Sequence, residues 1–213
     1  MIVAPSVLSM DYSRMREQTA ELNASGAEWL HFDVMDAHFV PNLTFGPDIL
    51  KGFNKLTDLF KDVHLMVDDP TEVSRYFVPA GAQMITFHIE AVTAEKIPAL
   101  LRYLEENGVK KGLAIKPKTP LEELKPYLHD FDMFLIMSVE PGFGGQKFDP
   151  NAEERIRTLR RWCDEEGIHP WIQVDGGINA ETGKICREAG ADVLVAGSYV
   201  FRNDIGKAVK SLV

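Results

Sequence analysis

Cysteine is scarce in this chain: Cys163 and Cys186 are the only two among 213 residues. Neither has the spacing of a zinc knuckle or a redox pair, so a disulfide framework is excluded and both read as free thiols in helical contexts. Basic residues are also in short supply, with 23 Lys and Arg against 32 Asp and Glu and a formal charge of −9. Nothing basic is concentrated enough to displace counterions, which argues against nucleic acid and anionic membrane as partners. The opening MIVAPSVLSMDYS has no basic leader and reaches Pro5, Ser6, Ser9 and Asp11 too soon for a signal peptide or a spanning helix, so cytoplasm is the expected location. The first apolar run leads into Ser9-Met10-Asp11 and not GxGxxG, which counts against a dinucleotide fold. No DxKxxD occurs, which counts against a barrel lyase of the decarboxylase type.

What the chain does have is alternation. Eight short runs rich in Val, Ile, Leu and Phe begin at Ile2, Trp29, Asp62, Met84, Gly112, Met133, Trp171 and Val193. Segments with helical spacing lie between them, among them SRMREQTAELNASG, AEKIPALLRYLEENG, AEERIRTLRRWCDEEG and NAETGKICREAG, each closing on a glycine suited to a C-cap. SGAEWLHFD, AGAQMITFH and AGADVLVAG repeat one pattern of helix end, small residues and strand. No linker interrupts the series. With 45% hydrophobic residues the chain can bury a substantial core, and residues 1–213 are expected to form a single α/β domain, a (β/α)8 TIM barrel.

Barrel chemistry sits at the C-terminal ends of the strands, so the residues closing each run matter most. The first run ends in Ser6 and Ser9, the second in His31, Asp33 and Met35, the third in His64 and Met66, the fourth in His88 and the seventh in Asp175. His31 and Asp33 stand two apart and share one face of their strand. Any one such residue commonly caps a helix or bonds a loop. Together, His31, Asp33, His64 and Asp175 offer nitrogen and oxygen ligands to a divalent metal at one mouth. A second constellation is glycine: GFGGQ at 142–146, Gly176 and Gly177, and Gly197 with Ser198 follow the sixth, seventh and eighth runs. Backbone N–H groups can approach an anion there, which implies a phosphorylated small molecule. Lys147 beside them reads as a solvated surface residue.

APSVLSMD, HFDVMDAHFVPN, DVHLMV, SVEPGFGGQKF, VDGGIN and AGSYVF occur in the order and spacing of ribulose-phosphate 3-epimerases, and the chain resembles that family over nearly its whole length. The resemblance implies a ribulose-phosphate binding barrel that interconverts D-ribulose 5-phosphate and D-xylulose 5-phosphate in the pentose phosphate pathway. It implies one divalent ion, Zn2+ or Fe2+ with Mn2+ or Co2+ as alternatives, on His31, Asp33, His64 and Asp175. Asp33 and Asp175 would be the acid/base pair. Ser6, His64, Gly142, Phe143, Gly144, Gly145, Gly176, Gly177, Gly197 and Ser198 would hold the sugar phosphate. Met35, Met66 and Met137 would flank the intermediate, or simply fill the core. A homo-oligomer is expected. Two bases suit the reaction, because inverting a carbon beside a carbonyl removes a proton from one face and returns one to the other.

Three positions depart from the family pattern: Ala37 replaces a frequent glycine, Lys116 an asparagine and Lys118 a glycine. They leave the ligands and the glycines intact and bear on sugar preference. D-allulose 6-phosphate is the alternative substrate, and a sugar-phosphate-binding barrel without catalysis is a further alternative.

Overall fold

The computed structural model describes residues 1–213. Eight strands, β1 (Ile2–Pro5), β2 (Trp29–Met35), β3 (Phe60–Met66), β4 (Met84–His88), β5 (Lys110–Ile115), β6 (Met133–Met137), β7 (Trp171–Asp175) and β8 (Val193–Ala196), form one sheet. All its ladders are parallel, and the order β1-β8-β7-β6-β5-β4-β3-β2 leaves β1 and β2 at the ends. An isolated parallel bridge between Ser6 and His31 joins those ends and brings the sheet round into a barrel.

Helices α1 (Met15–Ser25), α2 (Pro47–Asn54), α3 (Pro70–Phe77), α4 (Ile97–Glu106), α5 (Asn151–Glu165) and α6 (Ala180–Ala189) cross between strands, and short α7 (Ser198–Phe201) and α8 (Ile205–Lys210) close the chain. Between β5 and β6 the connection is a 3-10 helix, Leu121–Tyr127, containing Pro126, which lacks the N–H that a longer α-helix would need there. Gly26 and Gly190 cap α1 and α6 in the left-handed region, while Gly108 and Gly167 adopt it two residues beyond α4 and α5. No helix is long and apolar enough to cross a membrane.

Three boundaries differ from the sequence expectation. β3 and β5 start two residues earlier than their apolar runs because polar residues join the ladder; Lys61, although buried, satisfies its ammonium on the carbonyls of Thr57 at 2.8 Å and Leu59 at 2.5 Å. β1 ends at Pro5, not Ser9. Ser6 accepts the Leu8 N–H at 3.3 Å and turns Val7–Ser9 into a 3-10 helix, so Ser9 sits on a turn above the strand.

The two-residue period of each strand separates two interiors. Leu30, Phe32, Val63, Leu65, Ile85, Phe87, Phe134, Ile136, Val174 and Leu194 face outward into the main core under the helices. Each such side chain, fully buried, stabilises the fold by about 1.5–3 kcal/mol. The other face fills the barrel: Trp29, Met84, Met133 and Val193 at the bottom, with Phe60 and Trp171 beside them. Above that floor the filling becomes polar, and His31, Asp62, Thr86, Gln173, Asp33, His64 and His88 are all buried.

Candidate active site

The register between β2 and β3 sets His31 beside Asp62 and Asp33 beside His64. Because side chains two apart share a face, all four point into the barrel. His31 Nε2 lies 3.3 Å from Asp33 Oδ1, 3.4 Å from His64 Nδ1 and 3.9 Å from Asp175 Oδ2, and His64 Nδ1 lies 3.2 Å from Asp33 Oδ1. One ligand atom from each of His31, Asp33, His64 and Asp175 falls within 4.8 Å of all the others. Tetrahedral coordination at about 2.1 Å per bond places neighbouring donors about 3.4 Å apart, so the closest contacts have the size of a first-row divalent ion. The two imidazoles and two carboxylates also suit such an ion chemically.

Each ring is oriented from behind. Asp62 Oδ2 is 2.7 Å from His31 Nδ1 and accepts from Gln173 Nε2 at 2.7 Å, which directs His31 Nε2 at the cluster. His64 Nε2 faces His88 Nε2 at 2.9 Å, leaving His64 Nδ1 turned inward. The Ser6 hydroxyl donates to Asp33 Oδ2 at 2.5 Å, so Asp33 presents Oδ1 to the histidines.

Electrostatics separate the two aspartates. Burial pushes Asp33 up, but the charges and hydrogen bonds of His31 and His64 prevail and hold it far below the usual carboxylate range. Burial and then the neighbouring Asp33 charge raise Asp175 to about 6, against the opposing pull of the histidines. Burial disfavours a charged His31; Asp33 and Asp62 outweigh it and hold the ring well above the ordinary imidazole value. Burial lowers His88 to about 4.

Asp33 and Asp175 open onto a cavity at the strand C-termini, whose wall also includes Ser6, Ser9, Met35, Met66, Met137, Gly142–Gln146, Gly176, Gly177, Gly197 and Ser198. His31 and His64 lie beneath it, fully buried. Phe143 stands on the rim, 56% exposed. Two glycines are required by close approach. At Gly177, with φ of 62°, a Cβ would meet the Phe148 backbone nitrogen at 2.3 Å, and at Gly197 it would meet Ser9 Oγ at 2.7 Å. Gln146 Nε2 donates to the carbonyls of Glu140 and Phe143, both at 2.8 Å, and Asn42 donates to Gly142 O at 2.7 Å, tying the loop after β2 to the loop after β6.

A sequence model of the Ribulose-phosphate 3 epimerase family matches residues 2–201. The chain belongs to the ribulose-phosphate 3-epimerase family. It is 45% identical over 201 residues to the ribulose-phosphate 3-epimerase of Synechocystis sp., covering 94% of this chain and 87% of that one. To the chloroplastic ribulose-5-phosphate-3-epimerase of Arabidopsis thaliana it is 40% identical over 213 residues, 100% of this chain and 76% of the relative. It is accordingly an epimerase. Among solved structures it is similar in fold to the tryptophan synthase A-subunit of Pyrococcus furiosus, with a TM-score of 0.73 at 16% identity over 100% of this chain and 96% of that one. A 3-hexulose-6-phosphate synthase gives 0.67 at 16% identity over 99% and 96%.

In this epimerase the residues that depart from the family pattern sit away from the four-donor cluster. The Lys116 ammonium lies 3.7 Å from the centre of the Phe39 ring, and Lys118 pairs with Glu140 at 3.4 Å on the surface. Ala37 takes a left-handed φ of 62°, the one non-glycine residue in the chain to do so. Lys147 is exposed, as expected. The sequence reading missed Asp62 and Gln173, and left His88 without a role. Asp62 precedes His64 by two and Gln173 precedes Asp175 by two, so the period that grouped His31 with Asp33 places both of them on the same inward face.

Proposed function

We propose that this epimerase inverts C3 of D-ribulose 5-phosphate to give D-xylulose 5-phosphate, with residues 1–213 acting as one barrel domain and Asp33 and Asp175 moving the protons. The observation that carries this reading is the pair of carboxylates, one from β2 and one from β7, that open onto one cavity beside the four-donor cluster. Two carboxylates from opposite strands can serve one carbon as base and acid. His31, Asp33, His64 and Asp175 hold a divalent ion, Zn2+ or Fe2+ by donor type, with Mn2+ and Co2+ as alternatives. When bound, that ion supplies Lewis acidity to negative charge developing on the substrate oxygens.

Asp33, kept ionised by its histidines and oriented by Ser6, removes the C3 proton it faces. Asp175 delivers a proton to the opposite face of the enediolate, and the roles exchange in the reverse direction. Met35, Met66 and Met137 present polarizable thioethers in the cavity wall and limit water near the planar intermediate. The Gly142–Gly145, Gly176–Gly177 and Gly197–Ser198 segments offer backbone N–H groups to the phosphate.

The test is incubation with ribulose 5-phosphate in deuterated water. The expected result is deuterium at C3, appearance of xylulose 5-phosphate, no carbon dioxide, and slower turnover of allulose 6-phosphate. No exchange at C3 of the pentose, or faster turnover of the hexose phosphate, would contradict the proposal.

A further inference from the structure

We infer that Glu90 and His88 form a hydrogen-bond relay that sets the tautomer of His64, and that this relay, resting on the proposed metal reading, makes His64 Nδ1 available to a divalent cation. The inward nitrogen of His64 is Nδ1, 3.2 Å from Asp33 Oδ1 and 3.4 Å from His31 Nε2. Its other nitrogen, Nε2, meets His88 Nε2 at 2.9 Å. Two ring nitrogens at that distance share one proton. If His88 carries it, the neutral His64 keeps its own proton on Nδ1, where it covers the lone pair a cation needs. If His64 carries it, Nδ1 is free.

In the metal-free fold Asp33 Oδ1, 3.2 Å from Nδ1, favours the first state; Glu90 favours the second, which a bound cation requires. Its Oε2 lies 3.2 Å from His88 Nδ1, and an ionised carboxylate can only accept, so His88 is protonated at Nδ1 and its Nε2 accepts from His64. The other oxygen, Oε1, is committed: it accepts the Lys116 N–H at 2.8 Å and the Thr119 hydroxyl at 2.5 Å. That turn is held from α5, where Arg155 donates to the carbonyls of Thr119 at 2.8 Å and Lys116 at 3.1 Å. His64 and His88 are wholly buried, and the Glu90 side chain is 19% exposed, so solvent has little access to reset the protons. His31 has the same service from Asp62 directly; His64 receives it through an intervening imidazole. Glu90 and His88 are thus positioning residues, acting on the cation through His64.

Glu90→Gln should invert the relay at constant shape. The Lys116 N–H selects the amide oxygen, which leaves the NH2 group facing His88 Nδ1. His88 must then protonate at Nε2, and His64 at Nδ1. Zinc affinity of the full chain, measured by chelator competition, should fall by about 10- to 100-fold in Glu90→Gln and in His88→Phe. His88→Gln, whose amide can accept from His64 and donate to Glu90, should stay near wild type. Nitrogen-15 NMR of the zinc-loaded wild-type rings, which needs no variant to fold, should find His88 protonated at Nδ1 and His64 at Nε2. Wild-type affinity in Glu90→Gln, equal losses in His88→Gln and His88→Phe, or a His88 proton on Nε2 in the zinc-loaded wild type would overturn the relay while leaving the metal reading standing. Failure of the wild type to bind one zinc per chain would overturn both.

Discussion

The two walls of the barrel mouth are built on opposite principles. On the β2–β4 side, His31, Asp33, His64 and His88 are buried and each is fixed by another side chain, so the position of every proton matters. On the β6–β8 side Asp175 is the one side chain of the donor cluster, and the rest of the proposed phosphate-binding surface is backbone, where Gly177 and Gly197 have no room for a side chain. Chemistry needs tuned groups held still, whereas recognition of a phosphate needs N–H groups left uncovered. A change on the first wall or at Asp175 should therefore strike proton transfer and metal binding, and one in the glycine segments of the second wall should strike substrate affinity.

The largest effect should come from emptying the first wall. Stripping divalent metal should abolish epimerisation and re-adding Zn2+ or Fe2+ should restore it, while His31→Ala and His64→Ala should lose metal occupancy with the circular-dichroism spectrum unchanged. Full activity after thorough demetallation would refute the ligand set.

Protons and metal should compete for the same four donors. Asp175, raised to about 6, and His31, raised well above its ordinary value, both hold protons in the metal-free fold that the unfolded chain releases more readily. Their contribution to stability is complete below the unfolded pKa values and is lost as pH rises through the folded ones. Metal requires the deprotonated groups, so the Tm difference between zinc-loaded and stripped protein should widen from pH 5 to pH 7.5. A constant gap would mean that these groups do not meet the ion.

On the second wall, Gly177→Ala should raise KM for the sugar phosphate more than it lowers kcat. It should also lower Tm, since a left-handed alanine costs about 1–2 kcal/mol before its clash with Phe148 is counted. A pure kcat effect would erase the contrast between the walls. The smallest effect is expected on the loop after β2, where Ala37→Gly removes a similar conformational cost but adds about 0.5–1 kcal/mol of backbone entropy. Tm should rise by roughly 1–3 °C for a chain of this size. A lower Tm would show that the alanine methyl makes a contact worth more than the conformational cost.

Much of the barrel was legible because its strands are buried on both faces and read as apolar runs separated by helical spacing. The four donors were legible because they close those runs. The starts of β3 and β5 were hidden by Lys61 and Lys110, whose polarity masks residues that nonetheless join the ladder. Asp62, Gln173 and the Glu90–His88 pair were harder, since their roles depend on partners 24 to 111 residues away that only strand register brings together. The turn at Val7–Ser9 is capped by one hydroxyl, Ser6 Oγ, which accepts the Leu8 N–H and which an apolar run does not announce.

The proposed two-base mechanism has Asp33 and Asp175 serving opposite faces of one substrate carbon. Its most direct test is C3 exchange in deuterated water with Asp33→Asn and Asp175→Asn, each started from either pentulose phosphate, with metal occupancy measured alongside. Losing one positioned base typically removes about 10²- to 10⁴-fold of rate, so each variant should exchange one epimer far faster than the other, and the two variants should show opposite preferences. Equal exchange of both epimers by both variants, with metal retained, would contradict it.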